Sequence, residues 1–237
     1  FRFGRHYENL KEEVVDIIKD EPEVLDGFDE KYKNRFKFLE DYQNIKYAEK
    51  FGDLVSFARK IDKNIGNGSQ FSTAVLKNYF KLMAYKDEYE VSRLMTNKKF
   101  VDDVNKNFEG NFNYNFYLAP PIFSKKSKVD GKLLKVKFGG WLFNVFKLLS
   151  KFKFLRGTKL DPFGYLNERK KERELIRDYK ETITDIGTKI NKSNYETAVK
   201  IASVPDQIRG FGHVKEKNIK EAINYRTDLL NSFHENT

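Results

Sequence analysis

The sequence of 237 residues contains no cysteine. This absence excludes disulfide bonds, and it excludes iron–sulfur clusters and zinc sites with cysteine ligands from this chain. A reducing compartment suits such a composition, and we expect a cytoplasmic location. The sequence begins at Phe1 without the basic and apolar segments of a secretory signal. We therefore expect no export, and we expect the sequence to be a piece of a longer one.

Long hydrophobic runs are also missing. The most apolar stretch, 141–155, contains Lys147, Lys151 and Lys153. It falls short of the roughly 20 apolar residues that a transmembrane helix requires. We expect no membrane span and interpret this stretch as a core or interface helix; a helix lying on a membrane surface is the alternative.

Compact catalytic motifs are absent as well. The sequence has three histidines and lacks HExxH, P-loop, calcium-loop and catalytic-triad patterns. Gly210 and Gly212 are not followed by the third glycine of a dinucleotide-binding loop, because Lys215 stands there. We therefore predict no catalytic residue, no metal site and no established cofactor-binding residue in this chain.

Aromatic and basic residues are abundant. The chain has 22 Phe and 13 Tyr residues, which is typical of a folded protein and not of a disordered chain. Its formal charge is +10, but Lys outnumbers Arg by 34 to 11. Nucleic-acid readers favour clustered Arg, so we interpret the charge as a solvated lysine surface and expect no nucleic-acid partner. A basic nucleic-acid or membrane-surface binder is the less favoured alternative.

Apolar residues recur every three or four positions along most of the chain, which predicts a mainly α fold. The acidic stretch Asp20 to Asp29, broken by Pro22, predicts a linker. Residues 1–27 would then be the tail of a preceding domain with its linker, and 28–237 a C-terminal helical domain. The predicted helices are 1–19, 28–65 as one helix or two in series, 72–96, 97–108, 141–155, 165–190, 193–203 and 214–233.

One segment has the period of a β-strand. Phe112, Tyr114, Phe116 and Leu118 alternate with polar residues, and Asp130-Gly131 is a turn sequence. We predict a small β-hairpin or ribbon insertion near 110–138.

Charged residues occupy positions where two predicted helices should continue their apolar stripes. Beyond Met83 the 72–96 helix becomes ionic, and so does the start of the 165–190 helix. Buried charges need partners, so we predict a partly buried ion-pair network between helices. A polar pocket for an anionic group is the alternative, and simple solvent exposure is a third. The residues of this candidate polar cluster or anion site are Lys86, Asp87, Glu90, Arg93, Asp161, Arg169, Arg173, Arg209, His213 and Lys215.

Two members of this set have further alternatives. Asp161 precedes Pro162 and is interpreted either as a helix N-cap or as a partner of an arginine. His213 lies at a helix start whose backbone N–H groups could bind an anion, or it makes only a local contact.

The stretch 203–218 joins this predicted network. We expect Arg209 and His213 to pair with Asp87, Glu90 or Asp161.

Four longer segments are distinctive. They are NYFKLMAYKDEYEVSRL (78–94), FEGNFNYNFYLAPP (108–121), KFGGWLFNVFKLLSKFKFLRGTKLDPFGYLNERKKEREL (137–175) and SVPDQIRGFGHVKEKN (203–218). Together they resemble the C-terminal region of indolepyruvate ferredoxin oxidoreductases, the long fused form of the 2-oxoacid ferredoxin oxidoreductases. The resemblance runs from Phe28 to Phe233 in unchanged order. Residues Phe1 to Asp20 would correspond to the end of the preceding γ-type domain.

The resemblance implies a parent enzyme that oxidatively decarboxylates indolepyruvate or another aryl 2-oxo acid. Its cofactors would be thiamine diphosphate, magnesium and [4Fe–4S] clusters, with coenzyme A as co-substrate and ferredoxin as electron acceptor. The family provides no established catalytic residue in this region.

We therefore expect a non-catalytic scaffold or interface domain. It would pack on the catalytic domains of the same polypeptide or complex, or across the interface of a homo-oligomer, through Trp141, Phe143 and Phe146. The alternative is an accessory binding module whose basic cluster takes coenzyme A phosphates or acidic ferredoxin.

Overall fold

A computed structural model describes residues 27–107, 115–118, 134–210 and 212–235. Within these ranges the chain is mainly helical and has a small antiparallel sheet, which confirms the predicted fold class. The predicted helix at 1–19, the linker up to residue 26 and the Asp130-Gly131 turn lie outside the described residues. The elements in chain order are helices α1 (Phe28–Tyr42), α2 (Ile45–Ile65), α3 (Gln70–Met83), α4 (Glu88–Met95) and α5 (Lys98–Asn107), strands β1 (Phe116–Leu118) and β2 (Val136–Phe138), helix α6 (Leu142–Lys151), a first 3₁₀ turn (Lys153–Leu155), helices α7 (Asn167–Gly187) and α8 (Tyr195–Ser203), a second 3₁₀ turn (Val204–Gln207) and helix α9 (Gly212–Glu235).

Helix α3 is the centre of the domain. It contacts α1, α2, α7, α8 and the second 3₁₀ turn, and most of its residues are buried. Its N-terminus is capped from another helix, because Asp62 of α2 accepts a hydrogen bond from the Ser72 backbone N–H at 2.8 Å. The Tyr195 hydroxyl of α8 donates to the same carboxylate at 2.6 Å. One buried aspartate thus joins α2, α3 and α8.

Stacked aromatic rings cross the core from helix to helix. The rings of Tyr32, Phe51, Tyr79 and Tyr179 stack in sequence with centroid separations of 5.9, 6.3 and 5.8 Å. They come from α1, α2, α3 and α7 respectively, and the Tyr179 hydroxyl donates to the Ala202 carbonyl of α8. Each aromatic pair contributes about 0.5–1.5 kcal/mol beyond its buried area. Aromatic side chains from four helices therefore form part of the core.

The predicted 28–65 helix is two helices in series. Asn44 lies between them in an extended conformation, and its side chain accepts a hydrogen bond from the Tyr47 N–H at 2.9 Å. Gly66 ends α2 with a φ of 71°, which glycine adopts without the steric cost that other residues incur. The sequence contained both signals, an Asn before an apolar run and a Gly after one.

The predicted single helix at 72–96 is wrong. The helix ends at Met83, and a new one begins at Glu88 with Asp87 as its N-cap. The Asp87 side chain accepts from the Glu90 N–H at 2.8 Å, which satisfies a backbone donor that has no partner inside the helix. The other described helices begin and end within a few residues of their predicted bounds.

The hairpin and α6 form a smaller layer next to α4. Strands β1 and β2 pair antiparallel with Phe116 opposite Phe138, which confirms part of the predicted ribbon. Phe116 packs edge to face on Phe146 of α6, with centroids 5.2 Å apart. Phe146 is buried inside the domain, so its predicted role as an outward-facing contact is wrong.

No helix among the described residues has the length and apolar character needed to cross a bilayer. The predicted 141–155 helix is α6 followed by the first 3₁₀ turn.

The buried tyrosines predict loss of stability in alkali. Burial, with smaller effects of Asp53 and Asp87, raises the pKa of Tyr79 and of Tyr85 to about 12. An unfolded tyrosine has a pKa of about 10, so the unfolded chain loses these protons first as the pH rises. The stability that these two hydroxyls contribute is complete below pH ~10 and disappears between about pH 10 and 12. Helical circular dichroism should fall over this range.

A matched variant checks the cause. Tyr79→Phe keeps the stacked ring and removes the ionisable hydroxyl, so its unfolding should depend less steeply on pH than that of the wild type. Identical pH dependence of helix content in the two proteins would show that Tyr79 ionisation is not involved.

Candidate functional site

Among the described residues, the most deeply buried ion pair joins Arg156 and Asp87. The Arg156 guanidinium donates from Nε and Nη2 to the two Asp87 carboxylate oxygens at 2.5 and 2.8 Å. Both side chains are almost completely buried, at 2% and 3% exposed. Burial alone would lower the pKa of Arg156, but the hydrogen bonds and charge of Asp87 outweigh burial and raise this pKa. The arginine therefore stays charged.

Further contacts of Arg156 tie it to α1. Its Nη1 donates to the carbonyl of Tyr42, the last residue of α1, at 2.6 Å, and the guanidinium lies 3.6 Å from the Tyr42 ring centroid. In return the Gln43 side chain donates to the Arg156 carbonyl at 3.3 Å. The end of α1, the start of α4 and the segment after α6 thus meet at one side chain.

Asp161 organises the turn that follows Arg156. Its carboxylate accepts from the backbone N–H groups of Gly157 and Phe163 and from the Tyr89 hydroxyl, at 2.7, 3.1 and 3.1 Å. A Cβ on Gly164 would lie 2.7 Å from this carboxylate, so any side chain there would require the carboxylate to shift. Asp161 is therefore neither a helix N-cap nor the partner of an arginine, and both predicted roles are wrong.

Glu90 and Arg93 form the pair that their spacing predicts. Arg93 donates from Nε and Nη2 to the two Glu90 carboxylate oxygens at 2.8 and 2.7 Å, three residues apart on α4. Glu90 is only 2% exposed. Lys86 does not join them, because it lies in the break between α3 and α4 and its side chain is exposed.

The predicted pairing of Arg209 and His213 with Asp87, Glu90 or Asp161 is wrong. Those carboxylates take the partners just described. Arg209 instead donates from Nε to the Asp206 carbonyl at 3.0 Å, and His213 is exposed at the start of α9.

A second ionic cluster lies on α7. Arg169 donates to Glu88 of α4 at 3.3 and 3.4 Å and to Glu172 at 2.7 Å, and Lys215 of α9 donates to Glu172 at 2.7 Å. Burial opposes the charge of Arg169, yet the two carboxylates raise its pKa. Through this cluster α4, α7 and α9 are joined, which confirms a partly buried ion-pair network between helices.

Arg173 lies apart from this cluster. Its Nη2 donates to the Gly164 carbonyl at 2.5 Å, and its buried Nη1 has no hydrogen-bond partner among the described residues. It therefore supports the Asp161 turn instead of an ion pair.

A surface pocket of about 380 Å³ opens beside the second cluster. Four of the ten residues predicted for the polar cluster line this pocket, namely Lys86, Arg169, Arg209 and Lys215. Nine of the ten predicted residues thus divide into a largely buried group and a group at the pocket, and His213 belongs to neither. Among the described residues, no three His, Asp or Glu side chains are grouped so that they could bind a metal ion.

Sequence reasoning missed Arg156, the centre of the buried group. A signal was present, since Arg156 is the only arginine between Arg93 and Arg169, in a stretch rich in lysine. Arginine is preferred where a carboxylate must be bound by two parallel hydrogen bonds. The contacts of Tyr42 and Tyr89 were also missed. The residues next to them in the sequence do not indicate that the Tyr42 carbonyl accepts from Arg156 or that the Tyr89 hydroxyl donates to Asp161.

Replacing Arg156 should destabilise the fold. Arg156→Met leaves the Asp87 carboxylate buried without its counter-charge, so the free energy of unfolding should fall by about 3–5 kcal/mol. Asp87→Asn keeps a good N-cap but removes the charge. The double variant should therefore lose less free energy of unfolding than the sum of the losses of the two single variants. Chemical denaturation measures all three values.

A surface arginine provides the control. Arg177 pairs with exposed carboxylates and is itself 64% exposed, so Arg177→Met should cost less than about 1 kcal/mol. Additive effects at positions 87 and 156 would contradict a direct coupling.

Most of the chain matches one protein family. No curated protein and no solved structure matches the chain. A family of unknown function, DUF6537, matches residues 28–227, which include the buried ion pair and the whole lining of the pocket. The chain therefore belongs to the DUF6537 family.

Proposed function

We propose that the chain is a non-catalytic scaffold or interface domain of an indolepyruvate ferredoxin oxidoreductase. That enzyme would oxidatively decarboxylate an aryl 2-oxo acid to the acyl-CoA and pass the electrons to ferredoxin. Support comes from the four sequence segments that resemble the C-terminal region of these enzymes. They contain the residues that build both ionic clusters, with Asp87 in the first, Arg156 and Arg169 in the third and Lys215 in the fourth.

The structural observation that carries the proposal is an uncovered apolar surface. Four apolar residues recur at spacings of four, three and four along α6 and the residues that flank it. They are Trp141, Val145, Leu148 and Phe152, and they are 61, 42, 58 and 39% exposed. Phe154, 54% exposed, packs against Phe152 with ring centroids 6.1 Å apart. We call these five residues the apolar face.

The apolar face cannot be explained by packing within the described residues. The opposite side of α6 already buries Leu142 and Phe146 against the domain. A surface helix typically buries one apolar stripe and leaves polar residues exposed, whereas a contiguous exposed apolar surface marks a contact site. Packing of this face on the catalytic domains would account for it.

The cofactors are assigned to other domains in this proposal. The chain has no cysteine with which to bind a [4Fe–4S] cluster. The described residues also offer no group of acidic or histidine side chains for a metal ion. The contribution of these residues would be to position and stabilise the domains that perform the decarboxylation.

The proposal is tested by placing a charge on the apolar face of the complete enzyme. Leu148→Glu should leave the fold of this domain intact, since the side chain is 58% exposed. The carboxylate would have to be buried without a partner when the domains pack, which costs several kcal/mol. We expect at least a tenfold loss of assembled enzyme, by size-exclusion chromatography, and a matching loss of indolepyruvate-dependent ferredoxin reduction.

Ile45→Glu is the matched control. Ile45 is 45% exposed at the first position of α2, outside the apolar face, and a carboxylate there suits a helix N-terminus. This variant should assemble and reduce ferredoxin like the wild type. Normal assembly and turnover of Leu148→Glu would contradict the proposal, and so would decarboxylation of indolepyruvate by the isolated chain.

A further inference from the structure

The pocket of about 380 Å³ lies where α3, α7 and α9 meet the segment after the second 3₁₀ turn. Its size is within the range of pockets that enclose small organic ligands. Apolar side chains from all of these elements form its floor, and charged side chains surround them. The apolar residues are Leu82, Leu175, Ile208 and Ile219.

The charged residues around the pocket are not balanced. Arg169 is paired with Glu88 and Glu172. Lys215 is paired with the same Glu172, and Lys171 with Glu216 at 2.9 Å. The remaining lining carboxylate, Glu168, is exposed and makes no ion pair within the described residues. Within the described ranges, three further cations of the lining have no carboxylate within ion-pair distance. They are Lys81, Lys86 and Arg209.

Lys81 is held in place without a counter-charge of its own. Its ammonium group donates to the carbonyls of Pro205 and Asp206 at 2.8 and 3.4 Å. The Asp206 carboxylate is 3.1 Å from a different lysine, Lys77. Burial lowers the pKa of Lys81, Asp206 opposes this, and the nearby charges of Arg209, Lys77 and Lys215 add to the lowering. An incoming anion would relieve this repulsion between like charges.

Arg209 is anchored beside Lys81 by the same segment. Its Nε donates to the Asp206 carbonyl at 3.0 Å, so the backbone of one 3₁₀ turn positions both cations. Gly210 and Gly212 follow with φ angles of 88° and 56°, and they line the pocket where α9 begins. A cationic rim beside an apolar floor is complementary to a molecule that has a strongly anionic end and an organic body.

We propose that this pocket binds an organic phosphate. The phosphate group would lie against Lys81, Lys86 and Arg209, where charge-assisted hydrogen bonds replace the missing carboxylates. The organic body would cover the apolar floor. This site goes beyond the scaffold function proposed above and does not depend on it.

Isothermal titration of the full chain with four probes tests the proposal. ADP and coenzyme A carry phosphates on organic bodies, whereas diphosphate and inorganic phosphate have no organic body. We expect one-to-one binding of ADP, coenzyme A or both, at least tenfold tighter than that of either inorganic probe, and weaker at raised salt. Equal affinities for ADP and coenzyme A would show that the pocket binds the nucleoside phosphate that the two molecules share. Tighter binding of coenzyme A would show that the pocket also contacts the rest of that larger molecule.

Variants locate the site. Lys86 and Arg209 are both exposed, so the double change Lys86→Gln with Arg209→Gln should leave the fold intact. It should weaken binding at least tenfold, because two charge-assisted contacts are lost. Lys46→Gln with Lys50→Gln removes the same total charge from exposed positions on α2 and should leave binding unchanged.

Three results would overturn the proposal. They are no binding of any probe, binding that both double variants weaken equally, and inorganic probes that bind as tightly as the organic ones. These measurements concern the isolated chain and no enzymatic turnover. A negative titration therefore contradicts the phosphate site and not the scaffold function. Normal assembly of Leu148→Glu contradicts the scaffold function and not the phosphate site.

Discussion

The arrangement of the domain depends on the contact between Arg156 and Asp87. Asp87 begins α4, Arg156 follows the first 3₁₀ turn, and the same guanidinium binds the carbonyl at the end of α1. A buried ion pair gives little net stability compared with apolar packing, because desolvation of both charges is costly. It does restrict geometry, since a displaced partner would leave a charge buried alone. Fixing Arg156 fixes the end of α6, and so it also determines where the apolar face lies.

Sequence reasoning succeeded where the determining interactions are local. The spacing of apolar residues gave most helices, and ion pairs three residues apart, Glu90 with Arg93 and Arg169 with Glu172, follow from helix geometry. The break between α3 and α4 was missed because the charged residues after Met83 were interpreted as a continuation of the same helix. The ion pair that holds Asp87 at the start of α4 comes from Arg156, 69 residues away in the chain. The pairing of Arg209 was missed for a related reason: its acceptor is a backbone carbonyl, which every residue has.

The two ionic clusters have different physical character. In the cluster around Arg156 the charges and most polar atoms are satisfied within the domain, and a ligand would have nothing to add. In the cluster beside the pocket, shared carboxylates leave an excess of positive charge facing open volume. From the sequence, residues of both clusters were predicted to form one polar cluster, with an ion-pair network and an anion pocket as alternative roles. The structure separates the residues into two places. Both clusters join helices, and the proposal of a ligand concerns only the cluster beside the pocket.

The exposed apolar face suggests an advantage if this domain is covalently joined to the domain that covers the face. If another part of the same polypeptide covers the face, docking is intramolecular, with an effective concentration in the millimolar range for a short flexible linker. A separate chain at cellular concentration would have to find its partner by diffusion while Trp141 and Leu148 stayed in water, where they also favour self-association. Fusion of the two parts into one polypeptide would shorten the time for which these side chains are exposed to water, without any change in the contact itself.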